Sequence, residues 1–166
     1  MAFAQLTLDA DFNPVDAVEE VACAEDWSFE RCGVDEISVL VQGVWTDYGI
    51  SFNWMADMEA LHVSCSFDLR VPAARQGQAM RLLAMINEQL VFGHFDFWLR
   101  DGSVLYRHAI PLNAGAEANE EQIVCLLQTA LRACERYYQA FQYVVWGGRD
   151  AAEALQGVLF DTMGEA

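Results

Sequence analysis

From Glu120 to Trp146 the chain reads EEQIVCLLQTALRACERYYQAFQYVVW, and this stretch limits the possible folds more than any other. Ile123, Leu127, Ala130, Cys134, Tyr137, Phe141 and Val144 recur at alternating steps of four and three, the spacing of one seam of an α-helix. Val124, Leu131, Tyr138 and Val145 form a second row beside it, and Gln128, Arg132, Glu135, Arg136, Gln139 and Gln142 occupy the opposite face. At 1.5 Å per residue such a helix runs roughly 40 Å, about the diameter of a compact chain of this size. A helix that spans a whole domain and carries so wide an apolar stripe needs a broad partner, and a sheet is the expected one. The aromatic run Tyr137, Tyr138, Phe141, Tyr143 and Trp146 is read as packing, not as a cofactor box.

The sequence before the long helix supplies that sheet. Asn13-Pro14 offers an N-cap with proline at the first helical position, which predicts a helix from Pro14 to about Asp26 with Val15, Val18, Val21 and Ala22 inward. The period then changes to two. Glu36 to Gln42 and Trp45 to Trp54 alternate, and Leu61, Val63, Cys65, Phe67 and Leu69 alternate against His62, Ser64, Ser66, Asp68 and Arg70. One face apolar and the other polar is the pattern of an antiparallel sheet covered on one side only. Ser28 to Cys32 could add a brief further strand, and Met1 to Phe12 is either a flexible arm or a lone edge strand. Pro72 opens a second helix to about Phe92, with Leu83, Ile86 and Leu90 as its seam and Gly93 ending it. Asn119 with Gln122 forms a capping box for the long helix, and Asp150 starts a last short helix to about Phe160. The expected architecture is α+β, a two-layer sandwich in the order α-β(3)-α-β(2)-α. It has an antiparallel sheet of about five strands with helices on one face, and a single domain over residues 1–166.

Between the second and third helices, His94 to Arg100 and Ser103 to Leu112 flank Asp101-Gly102, a strong hairpin signal. A two-residue turn pairs Arg100 with Ser103, Leu99 with Val104, Trp98 with Leu105, Phe97 with Tyr106, Asp96 with Arg107 and Phe95 with His108. A slip of one residue would mix the faces and bury a charge. In this register Phe95, Phe97, Leu99, Val104 and Tyr106 face the helices. Trp98 over Leu105, beside an Asp96–Arg107 ion pair, then makes an apolar spot on the polar face. Trp98 is either a dimer or partner contact there, or it lies under the N-terminal arm.

Charge and composition narrow the functions. Acidic residues number 25, and all nine basic residues are arginines, for a net charge of −16. That balance opposes binding to nucleic acids and anionic membranes. No segment has the run of about 20 apolar residues of a membrane span, and the N-terminus lacks the pattern of a secretory signal, so a cytoplasmic protein is expected. Cys23, Cys32, Cys65, Cys125 and Cys134 contain no CxxC pair and are expected to stay free, without metal. His62, His94 and His108 are scattered along the sequence. His94-x-Asp96 supplies two ligands where a metal needs three or four, and His108 is in phase with core positions, expected to have a hydrogen-bond partner. There is no GxSxG, P-loop or GxGxxG, and no cofactor is expected.

The passages INEQLVFGHFDFWLRDG (Ile86 to Gly102), CERYYQAFQYVVWGG (Cys134 to Gly148) and DAVEEVACAEDWSFER (Asp16 to Arg31) resemble the YbjN-like family of bacterial proteins. The resemblance implies a type III secretion chaperone-like fold and a role in sensory transduction regulation, with no catalytic motif to carry over. The expected function is a non-enzymatic protein-binding or regulatory module that acts as a homodimer or holds an extended peptide. The alternative is a small enzyme or ligand-binding domain with its site near His94, Asp96 and Arg107.

Overall fold

The computed structural model describes residues 13–163, so the reading of Met1 to Phe12 lies outside the described residues. Helix α1 (Pro14–Ala24) leads into strands β1 (Ser28–Gly33), β2 (Glu36–Gln42), β3 (Asp47–Met55) and β4 (Ala60–Arg70). Helix α2 (Gln76–Asn87), strands β5 (His94–Trp98) and β6 (Ser103–Pro111), and helices α3 (Glu120–Val145) and α4 (Ala151–Met163) follow. The strands form one antiparallel sheet in the order β1-β2-β3-β4-β6-β5. It has six strands rather than five, because Ser28–Gly33 pairs along β2 through Phe29↔Val39 and Arg31↔Ile37.

The long helix keeps its expected bounds. Asn119 accepts the Gln122 N–H at 2.8 Å while Gln122 Oε1 accepts the Asn119 N–H at 3.0 Å, closing the capping box. Every residue of the expected seam from Ile123 to Val144 is buried. The inward residues of β3 and β4 meet it there, and aromatic rings lock the two layers. Phe67 lies 5.2 Å from Tyr138, 5.6 Å from Phe141 and 5.7 Å from Phe95, ring centroid to ring centroid. Cys65 and Cys134 share this core, and all five cysteines are free thiols. Burial first, and the neighbouring Cys65, raise the Cys134 thiol above its ordinary value, which keeps it protonated.

Helix α1 is tied to the β1–β2 turn by charge. Arg31 pairs with Asp16 at 2.8 Å and with Glu19 at 2.6 Å, and its Nε donates to the Gly33 carbonyl at 2.7 Å. Asn13 caps the helix by accepting the Val15 N–H and donates to the Val34 carbonyl.

Helix α2 is shorter than the sequence suggests. Ala73–Arg75 forms a tight turn first, and the Arg75 guanidinium donates to the Val144 and Arg149 carbonyls, which holds this corner against the end of α3. At the other end the side chain of Asn87, the last residue of the helix, serves β5. It donates to the Phe95 carbonyl at 2.9 Å and accepts the Phe95 N–H at 2.8 Å. Ala79, Leu82 and Ile86 are the buried seam, with Leu83 and Leu90 only partly covered.

The β5–β6 hairpin differs from expectation by two residues. His94 faces Arg107, Phe95 faces Tyr106, Asp96 faces Leu105, Phe97 faces Val104 and Trp98 faces Ser103, so the loop is Leu99-Arg100-Asp101-Gly102. A shift of two keeps every side chain on its face, so hydrophobic patterning alone cannot reject it. The loop's own contacts decide the register. Trp98 O accepts the Gly102 N–H at 2.8 Å, the Asp101 carboxylate accepts the Ser103 N–H at 3.1 Å, and Gly102 O accepts the Val71 N–H at 2.9 Å. Gly102 sits at φ +73°, and a Cβ there would stand 2.7 Å from the Val71 carbonyl oxygen. Leu99 therefore stands in the loop, 66% exposed, and not against the helices.

Candidate functional site

The open face of the sheet gathers its polar chemistry at Arg107. Strands β4, β5 and β6 bring His62, His94 and Asp96 around that guanidinium. Arg107 Nη1 donates to Asp96 Oδ2 at 3.0 Å, and Arg107 Nε donates to His62 Nε2 at 3.2 Å. The expected Asp96–Arg107 ion pair is present, reached diagonally because His94 takes the position opposite Arg107. Asp96 Oδ1 also accepts the Phe97 N–H at 3.0 Å.

These contacts set the charges. Burial would raise the Asp96 carboxyl, but the hydrogen bonds from Arg107 and the Phe97 N–H, with the charge of Arg107, outweigh it and hold the group below the usual carboxylate range. His62 is pushed below the ordinary imidazole value by burial first and then by Arg107, His94 and His108. A neutral His62 is what the geometry requires, since its Nε2 must be bare to accept from Arg107. His108 is lowered by burial and then by His94. It lies at the core's margin with its ring 6.0 Å from Phe92, and makes no hydrogen bond among the described residues, contrary to expectation.

Two depressions open on this cluster. One, of about 640 Å³, runs between Asp35, Trp54, Met55, Met58, His62 and Arg107. The other, of about 430 Å³, shares Met55, Met58, His62 and Arg107 and extends to Gly93, His94 and His108. They form one trough whose floor holds Arg107 and the neutral His62 and whose lip is the β3–β4 connection. A separate apolar cavity of about 170 Å³ lies between Phe92, His108, Ile110, Cys125 and Leu126, beside the first turns of α3.

The expected contact spot does not assemble as Trp98 over Leu105. Leu105 is only 6% exposed, because β6 is flanked on both sides and the two-residue shift sets Leu105 between Ser66 and Asp96. Trp98 is 48% exposed and stands next to Leu99 at the hairpin tip. Sequence reasoning missed His62, Met55 and Met58, and treated the three histidines as scattered. The signal that joins them is the β4–β6 pairing, which brackets His62 and Arg107 through His62↔Ala109 and Ser64↔Arg107. Among the described residues, no group of three or more His, Cys, Asp or Glu side chains is placed to hold a metal ion. No helix among them is long and apolar enough to cross a membrane.

Residues 14–143, from the first residue of α1 into the last turn of α3, match the sequence profile of YbjN, described as "putative bacterial sensory transduction regulator". The chain belongs to the YbjN family. Among solved structures, the crystal structure of YbjN, described as a putative transcription regulator from E. coli, has a similar fold. It is 12% identical, with 73% of this chain and 85% of that chain covered, at a TM-score of 0.53. The crystal structure of the ExsC–ExsE complex contains a chain 19% identical, covering 61% of this chain and 72% of that one at a TM-score of 0.41. No curated protein matches the sequence significantly. The YbjN fold accounts for the order of helices and strands, and the family description names no reaction.

Proposed function

We propose that this single YbjN-like domain is a non-enzymatic, cytoplasmic protein-binding module that regulates through its partners and works as a homodimer. The observation that carries this reading is the exposed pair Trp98 and Leu99, held at the tip of a hairpin whose backbone is fixed by the Gly102 and Asp101 hydrogen bonds. A rigid, solvent-facing tryptophan beside a leucine is the kind of anchor that dominates protein interfaces, and the Asp96–Arg107 pair on the same face supplies a polar rim. The engagement of both Asp96 and His62 by Arg107 supports a binding role over a catalytic one, because neither group is left poised as an acid or base. Sedimentation velocity tests the reading directly. The wild-type chain should sediment as a dimer and a Trp98→Ala, Leu99→Ser variant as a folded monomer; an unchanged oligomeric state sinks the contact.

A second reading has its own support. The trough at His94, Asp96 and Arg107 has the dimensions of a ligand cleft, for which about 300–1,000 Å³ is usual, so a small ligand or substrate is the alternative occupant of that face.

A further inference from the structure

We propose that the apolar cavity between Phe92, His108, Ile110, Cys125 and Leu126 is a binding site for a small uncharged aromatic molecule, one ring in size and carrying one hydroxyl group. The cavity shares only His108 with the trough over Arg107 and none of its lining with the hairpin tip. It therefore goes beyond the protein-binding reading and neither needs nor opposes the contact made by Trp98 and Leu99.

The cavity exists because β5 stops short. Strand β5 begins at His94, opposite Arg107, whereas β6 runs on to Pro111, so the last residues of β6 have no strand beside them on that margin. The connection from α2 takes the strand's place there. The Tyr106 hydroxyl donates to the Phe92 carbonyl at 2.9 Å, and Gly93 turns at φ +68°, where a Cβ would collide with that same hydroxyl. These contacts fix the backbone that carries Phe92, whose ring forms one wall of the cavity while much of it stays in water.

Size and lining select the occupant. The volume of about 170 Å³ is close to the ~150 Å³ of an apolar cavity that takes up benzene. Water is a poor filling, because a buried water needs about two to four polar partners. Here the Gln122 Oε1 is already committed to the Asn119 N–H, and the Thr129 hydroxyl lies 3.9 Å from the Cys125 thiol. Among the described residues, no Asp, Glu or Arg side chain lines the cavity. Burial first, and then His94, lowers His108, so its imidazole is neutral at neutral pH. A charged ligand would give up its hydration and meet no opposite charge. The Phe92 and His108 rings, 6.0 Å apart and inclined at 56°, present two aromatic walls to which a third ring can add edge to face. A neutral imidazole has one donor and one acceptor nitrogen, and His108 engages neither among the described residues. A hydroxyl group both gives and receives a hydrogen bond, so it serves His108 whichever nitrogen carries the proton.

The full chain is titrated at about pH 7.5, above the ordinary imidazole value, with phenol, toluene, benzoate and benzylammonium, following the methyl resonances of Ile110 and Leu126. Phenol should move them saturably. Toluene should bind about fivefold more weakly, the usual net worth of a hydrogen bond, and the two ions at least about tenfold more weakly. In His108→Leu, phenol should fall to the affinity of toluene while toluene keeps its own. Cys125→Phe, at an exposed position, should set a ring of the chain's own in the cavity and weaken both neutral ligands at least about tenfold, with circular dichroism unchanged. No saturable shift with phenol, an ion that binds as tightly as phenol, a preference for phenol that survives His108→Leu, or wild-type affinity in Cys125→Phe would each overturn the assignment.

Discussion

The two faces of the sheet are built on different physics from the same strands. The inner face is held by shape: Leu61, Val63, Cys65, Phe67 and Leu69 lie in a continuous core with α3, and rings from five elements meet at Phe67 and Phe95. The outer face is held by a few charges around Arg107, and its groups remain partly in contact with water. Close packing makes the inner face sensitive to every methylene, whereas an exposed ion pair adds little to stability. The molecule thus places its stability on one side and keeps the other free to be specific.

That contrast can be broken or sharpened by substitution. Phe67→Ala should cost about 3–5 kcal/mol, the range for a buried phenylalanine that leaves a cavity, and urea denaturation would read it; a loss under about 1 kcal/mol would show that the ring cluster is not the keystone proposed here. Asn87→Ala strips the Phe95 N–H and carbonyl of their partners at the sheet's margin. It should cost about 1–3 kcal/mol, with faster hydrogen exchange at Phe95 as the local signature.

Gly102→Ala tests the hairpin register. The positive φ and the close Val71 carbonyl should make it destabilising by about 1–3 kcal/mol; a neutral result would remove both from the account of the turn.

The outer face should respond chiefly to pH. His62 is depressed in the folded state, so the unfolded chain takes up a proton that the folded chain refuses as pH falls through about 6.5. Stability should decline from there until the folded-state value is reached. Arg107→Gln removes one cause of the depression and should flatten the decline, as denaturation midpoints at successive pH values would reveal. An identical pH slope in wild type and variant would remove Arg107 from the account. The smallest effect belongs to Trp98→Ala, which should change stability by no more than about 0.5 kcal/mol while altering association.

The elements with strong local signals were legible in the sequence. The α3 seam, its capping box and the alternation of β4 each follow from spacing alone, and each stands where it was expected. The features that escaped depend on contacts distant in sequence. The side chain of Asn87, the last residue of α2, is committed to Phe95, eight residues on, a contact that helical periodicity does not encode. The hairpin slips by two because Gly102 packs on Val71, and alternation is blind to even shifts. The histidines looked scattered because their meeting depends on β6, not β5, lying next to β4.

The side chain of Asn87 has a consequence beyond stability. By occupying both main-chain groups of Phe95 that point away from β6, it imitates a neighbouring strand and plugs one margin of the sheet. A sheet open at both margins is a repeating unit that can polymerise end to end. Among the described residues β1 is the opposite margin, so an edge-to-edge contact through it would join two copies and leave a plugged β5 at either end. One amide thus works as a chain terminator at its own margin.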